Sequence, residues 1–289
     1  MQSDNDAAVR TEPKPRFEGL LLRVRSALVL LPFVLLPIWF GGLAFLGLLM
    51  LACLAMAYEW THLLQSPRAR ADAFILTGAV GTALIVSEFF SVSDGFAFLV
   101  SLLPTMAAYC LWRGEKLSAL IGGLVYLGWP LLALHYFRQD ALGALLVIYI
   151  FLTVWGVDIF AMFSGKFIGG PKLAPRLSPN KTWAGLFGAM GGAALAACFS
   201  FLVVVGFGFG KADLIGMLAL AIILAIVAQM ADLYESALKR KYDIKDSGAL
   251  IPGHGGVLDR VDGLIGVLMF LHLLVLLRGA PASTAIWNW

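Results

Sequence analysis

The chain has 289 residues, 60% of them hydrophobic and 13% charged, with 21 Lys and Arg against 18 Asp and Glu for a net charge of +3. Soluble domains are about 45–50% apolar, so this composition, with a mean hydropathy of +0.87, excludes a water-soluble globular fold and points to an integral membrane protein. The small positive charge gives no footing for a nucleic-acid partner.

Residues 1–19 are polar and mixed in charge, with no apolar core followed by a small-residue cleavage site. They read as a disordered cytoplasmic tail rather than a signal peptide, ahead of a single membrane-embedded domain over 20–289. Ser26 to Tyr58 is one uncharged run, too long for one span and interrupted by Pro32, Pro37 and the Gly41-Gly42 pair. It predicts two short helices with a turn at the glycines. Further apolar stretches follow at 73–91, 95–112, 117–137, 141–163, 182–210, 214–231 and 263–277, close to the roughly 20 residues that cross a bilayer core. Glu88 and Asp94 are placed in a short outer loop. The fold class expected is an all-α polytopic membrane bundle of about nine transmembrane helices.

Short loops rich in Lys and Arg stay in the cytoplasm. With the N-terminus inside, the cytoplasmic segments of a nine-helix chain collect 18 of the 21 bases, which predicts a cytoplasmic N-terminus and an outside C-terminus. Cys53, Cys110 and Cys198 all fall inside predicted helices and suggest neither a disulfide framework nor a zinc site. His62, His135 and His272 read as structural.

Two cytoplasmic loops differ from the rest. Residues 236–263, "SALKRKYDIKDSGALIPGHGGVLDRVDG", hold five bases, four acids, a histidine and five glycines. If the preceding helix continues, Asp232, Glu235, Ser236, Lys239 and Arg240 recur on one broad face. The "PGHGG" turn lets backbone approach a ligand closely, and Asp259 and Asp262 follow at i, i+3 on the entry to the last helix. Such a fold-back would bring acids from both membrane-proximal ends together. Two carboxylates about 4 Å apart repel by roughly 4 kcal/mol at an effective dielectric near 20, so a converging pair needs a cation or a shared proton. Carboxylates with phosphate oxygens are the usual way to hold Mg²⁺, and Lys239, Arg240, Lys245 and Arg260 suit phosphates. Acids for metal and bases for phosphate describe a nucleotide site.

The other loop, residues 158–185, adds a carboxylate in an apolar setting. Asp158 lies inside the otherwise uncharged run 141–165, and a charge near the membrane is a functional candidate by default. "SPNKTW" then supplies hydroxyls and a lysine where a helix begins, with Ser178 or Asn180 as caps and a helix N-terminus as an anion site. Topology alone also explains Lys166, Lys172 and Arg176, and helix-end charges alone also explain Asp232 and Asp259. No Walker A motif or dinucleotide fingerprint is present, so spacing indicates metal and phosphate without naming the reaction.

Residues 236–262 resemble the signature of the phosphatidate cytidylyltransferase (CDP-diacylglycerol synthase) family, carried by Ser236, Lys239, Arg240, Lys245, Asp246, Gly248, Pro252, His254, Gly255, Gly256, Asp259, Arg260 and Asp262. "SPNKTWAG" is similar to a second block of that family through Ser178, Pro179, Lys181, Thr182 and Gly185, and Asp158, Ala161 and Gly165 fit the block before it. Ala184 stands where the family commonly has glutamate, and Ala231 where it has glycine.

The resemblance implies transfer of CMP from CTP to phosphatidic acid, requiring Mg²⁺, by a helical bundle that is commonly dimeric, with its site on the cytoplasmic side; the short N-terminal tail favours a bacterial inner membrane. On this basis Asp232 and Asp259 are expected to hold Mg²⁺, with Asp246 and Asp262 as further candidates and a second cation left open. Lys239, Arg240, Lys245 and Arg260 would bind the triphosphate. Ser178, Lys181, Thr182 and Ser236 would complete the cradle, with Gly255 and Gly256 giving close backbone approach and His254 orienting. Rival readings are a CTP-dependent polyprenol or phytol kinase and a transporter of an anionic solute.

Overall fold

The computed structural model describes residues 16–114, 117–248, 250–251 and 255–289, and of residues 16–27 the backbone alone. Eight helices are long and apolar enough to cross a membrane: α2 (Gly42–Leu63), α3 (Ala69–Phe89), α4 (Val92–Arg113), the continuous segment Leu117–Gln139, α7 (Gly143–Phe167), α8 (Trp183–Gly206), α9 (Leu214–Lys241) and α10 (Leu258–Arg278). The segment Leu117–Gln139 comprises α5 (Leu117–Gly123), a π-helical turn (Leu124–Gly128) and α6 (Trp129–Gln139). Helix α1 (Arg16–Phe40) contributes the shorter apolar stretch Leu28–Phe40, and α11 (Ala282–Trp287) closes the chain. The helical membrane bundle is as expected. Most of the polar tail, residues 1–15, lies outside the described residues, and α1 already begins at Arg16.

Local chemistry explains the breaks. Gly41 and Gly42 take φ of +70° and +52° between α1 and α2, a region that costs glycine little. The Arg138 guanidinium donates from Nε to the Ile38 carbonyl at 2.5 Å and from Nη2 to the Trp39 carbonyl at 2.8 Å, satisfying acceptors that a helix end leaves without partners. Ser91 caps α4 by accepting from the Asp94 N–H at 3.1 Å. Glu88 and Asp94 therefore belong to helix ends and not to an outer loop: the connection shrinks to residues 90–91, and Glu88 reaches His135 Nε2 at 3.4 Å.

Between α7 and α8 the chain forms an antiparallel hairpin, β1 (Lys172–Ala174) and β2 (Ser178–Thr182), with Lys172 opposite Thr182 and Ala174 opposite Ser178. It is the exception to a helical fold among the described residues, and it presents Lys181 to the bundle. Helices α7 and α8 then pack at glycine distance. A Cβ on Gly156 would lie 2.8 Å from the Gly192 carbonyl oxygen, and one on Gly192 closer still to that of Gly156. Small residues permit such approach between membrane helices. Gly192→Val should cost more than the ~1–3 kcal/mol typical of overpacking, read as a lower unfolding temperature in detergent.

Large side chains such as Phe90, Trp112, Phe167, Ile215 and Leu277 are exposed around the bundle, where lipid replaces water as solvent. At one end of the bundle Arg138 meets α1, and Asp140 accepts from the Ser283 N–H at 3.1 Å. At the other end gather the hairpin, the end of α9 and the turn before α10, tied to the end of α2 by the Gln65 amide donating to the Tyr242 carbonyl at 3.1 Å.

Candidate active site

Helix α9 does continue past Ala231, running 28 residues to Lys241, and α10 starts at Leu258 after the glycine turn. Their ends meet through side chains placed one turn apart. Lys239 Nζ lies 3.2 Å from Glu235 Oε1 and 2.8 Å from Asp259 Oδ1. Asp259 also accepts the Ser247 N–H at 3.1 Å and the Gly256 N–H at 3.0 Å through Oδ2. Gly255 takes φ +87°, which curls the turn over this carboxylate. Each donor lowers the free energy of an ionised acid more than a neutral one, so Asp259 is built to be charged.

A second cluster forms on the neighbouring face of α9. Lys181, carried by β2, places Nζ 2.6 Å from Asp232 Oδ2 and 3.3 Å from the Gln229 carbonyl, and Ser236 donates to Asp232 Oδ1 at 3.3 Å. Thr182 accepts the Gly185 N–H at 3.1 Å and so caps α8. The cap is this residue and not Ser178 or Asn180: β2 keeps those two extended, and the helix turns only after Thr182. A cavity of about 200 Å³ opens here, lined by Asp158, Asn180, Lys181, Thr182, Gln229 and Asp232 among others. A larger apolar cavity of about 370 Å³ lies on the other side of α9, between Trp60, Tyr126, Tyr234, Ile265 and Met269. Ala231 lines the apolar cavity, and Ala184 sits in the first turn of α8.

The two carboxylates expected to converge thus have separate basic partners, Asp232 on Lys181 and Asp259 on Lys239. Asp262 is the acid on α10 within electrostatic reach of Asp232, Glu235 and Asp158, and Arg260 acts on Asp158. Ser178 stands at the far end of β2, opposite Ala174. Arg240, Lys245, Asp246 and Arg260 are exposed. His254 lies outside the described residues.

Among the described residues no three His, Cys, Asp or Glu side chains stand close enough to hold a metal ion by themselves. Mg²⁺ bound through one or two carboxylates plus substrate phosphates needs no such cage. The donor set fits it: the carboxylates of Asp158, Asp232, Glu235, Asp259 and Asp262 gather beside Lys181, Lys239 and Arg260, and carboxylate oxygens are what a hard cation takes. Buried Glu235 keeps one oxygen, Oε2, without a hydrogen-bond partner.

Sequence reading missed Glu59. This carboxylate at the end of α2 is 1% exposed and accepts from the Val257 N–H at 2.9 Å, the Leu258 N–H at 2.8 Å and the Ser247 hydroxyl at 3.4 Å. Its one sequence signal is an acid directly after the uncharged run that ends at Tyr58.

The sequence model described as "Cytidylyltransferase family" matches residues 21–277. The phosphatidate cytidylyltransferase of Brucella abortus biovar 1 (strain 9-941) is 38% identical over 265 residues, covering 88% of this chain and 93% of its own. That of Rickettsia felis (strain ATCC VR-1525 / URRWXCal2) is 37% identical over 210 residues, covering 69% and 91%, and that of Rickettsia bellii (strain RML369-C) 40% identical over 169 residues, covering 56% and 72%. The matched span takes in both polar clusters and seven of the eight long helices in full together with nearly all of α10, and the chain belongs to the cytidylyltransferase family.

Proposed function

We propose that this chain transfers CMP from CTP to phosphatidic acid, giving CDP-diacylglycerol and pyrophosphate. The observation that carries the reading is the pairing of lysines with carboxylates at the joined ends of α9, α10 and the hairpin, beside a polar cavity in an otherwise apolar bundle. Relatives that are phosphatidate cytidylyltransferases support the same chemistry.

A phosphate oxygen of the lipid attacks the α-phosphorus of CTP, and the bond to the bridging oxygen of the β-phosphate breaks, releasing pyrophosphate. The nucleophile is already an anion, so no base is required. The work left to the protein is holding polyanions together and in line. Lys181 and Lys239 supply positive charge along one broad face of α9, each steered by a carboxylate. The exposed Arg240, Lys245 and Arg260 draw the triphosphate in, and the Gly255-Gly256 turn lets it approach the backbone. Asp232 and Asp262, with Asp259, would hold Mg²⁺, which when bound neutralises phosphate charge. The excess of Lys and Arg in the loops at this end supports a cytoplasmic site in a bacterial inner membrane, and the family resemblance supports a homodimer.

Purified protein given CTP, Mg²⁺ and phosphatidic acid should release pyrophosphate and form CDP-diacylglycerol. Release of CDP with a phosphorylated alcohol would instead mark a polyprenol or phytol kinase. Solute counterflow in liposomes without nucleotide turnover would mark a transporter.

A further inference from the structure

Helix α10 begins without a side-chain cap from its own Val257, although a helix start leaves several N–H groups without partners. The acceptor comes from 198 and 199 residues away: Glu59 on α2 takes the Val257 and Leu258 N–H groups, one on each oxygen. Burying a carboxylate is expensive unless donors and a favourable dipole surround it. Here its three hydrogen-bond partners, Ser247, Val257 and Leu258, all donate. An amide of the same shape would turn an N–H₂ toward one of those donors.

The network goes on to the reaction site through two residues. Ser247 gives its hydroxyl to Glu59 at 3.4 Å and its N–H to Asp259 at 3.1 Å. Gly256 gives its N–H to Asp259 at 3.0 Å, while its α-carbon rests against Glu59, so that an added Cβ would lie 2.8 Å from Oε2. A Cβ on Gly248 would lie 2.6 Å from Oε1. Two glycines of the signature therefore make room for a side chain of another helix. A local Ser or Asp could have capped α10; a carboxylate from α2 also fixes how far the glycine turn stands from the bundle.

We propose that Glu59 is a positioning residue of the transfer reaction, setting Asp259, and through it Lys239, by holding Ser247, Gly256 and the start of α10 on α2. The role rests on the transferase reading above. Glu59→Gln and Ser247→Ala are compared with wild type by initial rates, varying CTP and phosphatidic acid separately, alongside thermal unfolding in detergent. Losing a buried charge-assisted hydrogen bond should lower kcat/KM for CTP about 10- to 100-fold in Glu59→Gln, with KM for phosphatidic acid kept. Ser247→Ala should move the same quantity by a smaller factor. A purely structural residue would lower the folded fraction and leave both KM values alone. CTP kinetics within twofold of wild type in folded Glu59→Gln overturn the role; if that variant does not fold, unchanged CTP kinetics in Ser247→Ala overturn it. An inactive wild type would instead remove the transferase reading itself, and this role with it.

Discussion

Asp259→Asn is expected to slow pyrophosphate release about a thousandfold, at the upper end of what one removed electrostatic partner costs an active site, while the protein keeps its fold. Three donors converge on this carboxylate: the Lys239 ammonium at 2.8 Å, and the Ser247 and Gly256 amides at 3.1 and 3.0 Å. Asparagine keeps the shape but turns an N–H₂ toward at least one of them. Lys239 then holds to Glu235 alone and swings from its place between the helices. The glycine turn stays docked, because its grip on Glu59 through Val257 and Leu258 is untouched. Circular dichroism and the thermal transition in detergent should therefore match wild type. Full activity in the folded variant would sink the role given to Asp259.

Lys181→Met should lower kcat about a hundredfold, because it deletes the charge that we propose meets the phosphates and leaves Asp232 without its ion-pair partner. Nζ reaches Asp232 from the hairpin at 2.6 Å, and methionine retains most of the stem while removing the ammonium. Asp232 is about one-third exposed, so water solvates it in the variant and the fold survives. Lys181→Arg restores charge but spreads it over a planar fork, and an intermediate rate is expected. Equal rates for Met, Arg and wild type in the pyrophosphate assay would place Lys181 outside the chemistry.

The spans were legible because apolar runs separated by charges carry most of the information in a membrane helix. Even the broken start, with Gly41 and Gly42, followed from composition alone. Positions at the turns were less so. Ser178 and Asn180 were better caps than Thr182 by residue type, but a five-residue strand postpones the helix, and a hairpin this short leaves almost no alternating pattern. The face Asp232, Glu235, Ser236, Lys239 was readable because helical spacing is local. Which acid meets which base was not: Asp232 finds Lys181 and Asp259 finds Lys239, pairings between elements that no spacing encodes. Glu59 is the extreme case, since its partners are 188 to 199 residues distant.

Helix α9 has 28 residues, about 42 Å at 1.5 Å per residue, against a hydrocarbon core of about 30 Å. Its last two turns therefore stand in water, and Asp232 falls close to the boundary between oil and water. A reaction seated at that boundary sorts its own products. The nucleotide-bearing lipid remains anchored by its acyl chains in the bilayer, while pyrophosphate diffuses away in three dimensions. CTP arrives by the same aqueous route by which pyrophosphate leaves, so the soluble partners exchange through water while both lipids stay in the plane of the bilayer.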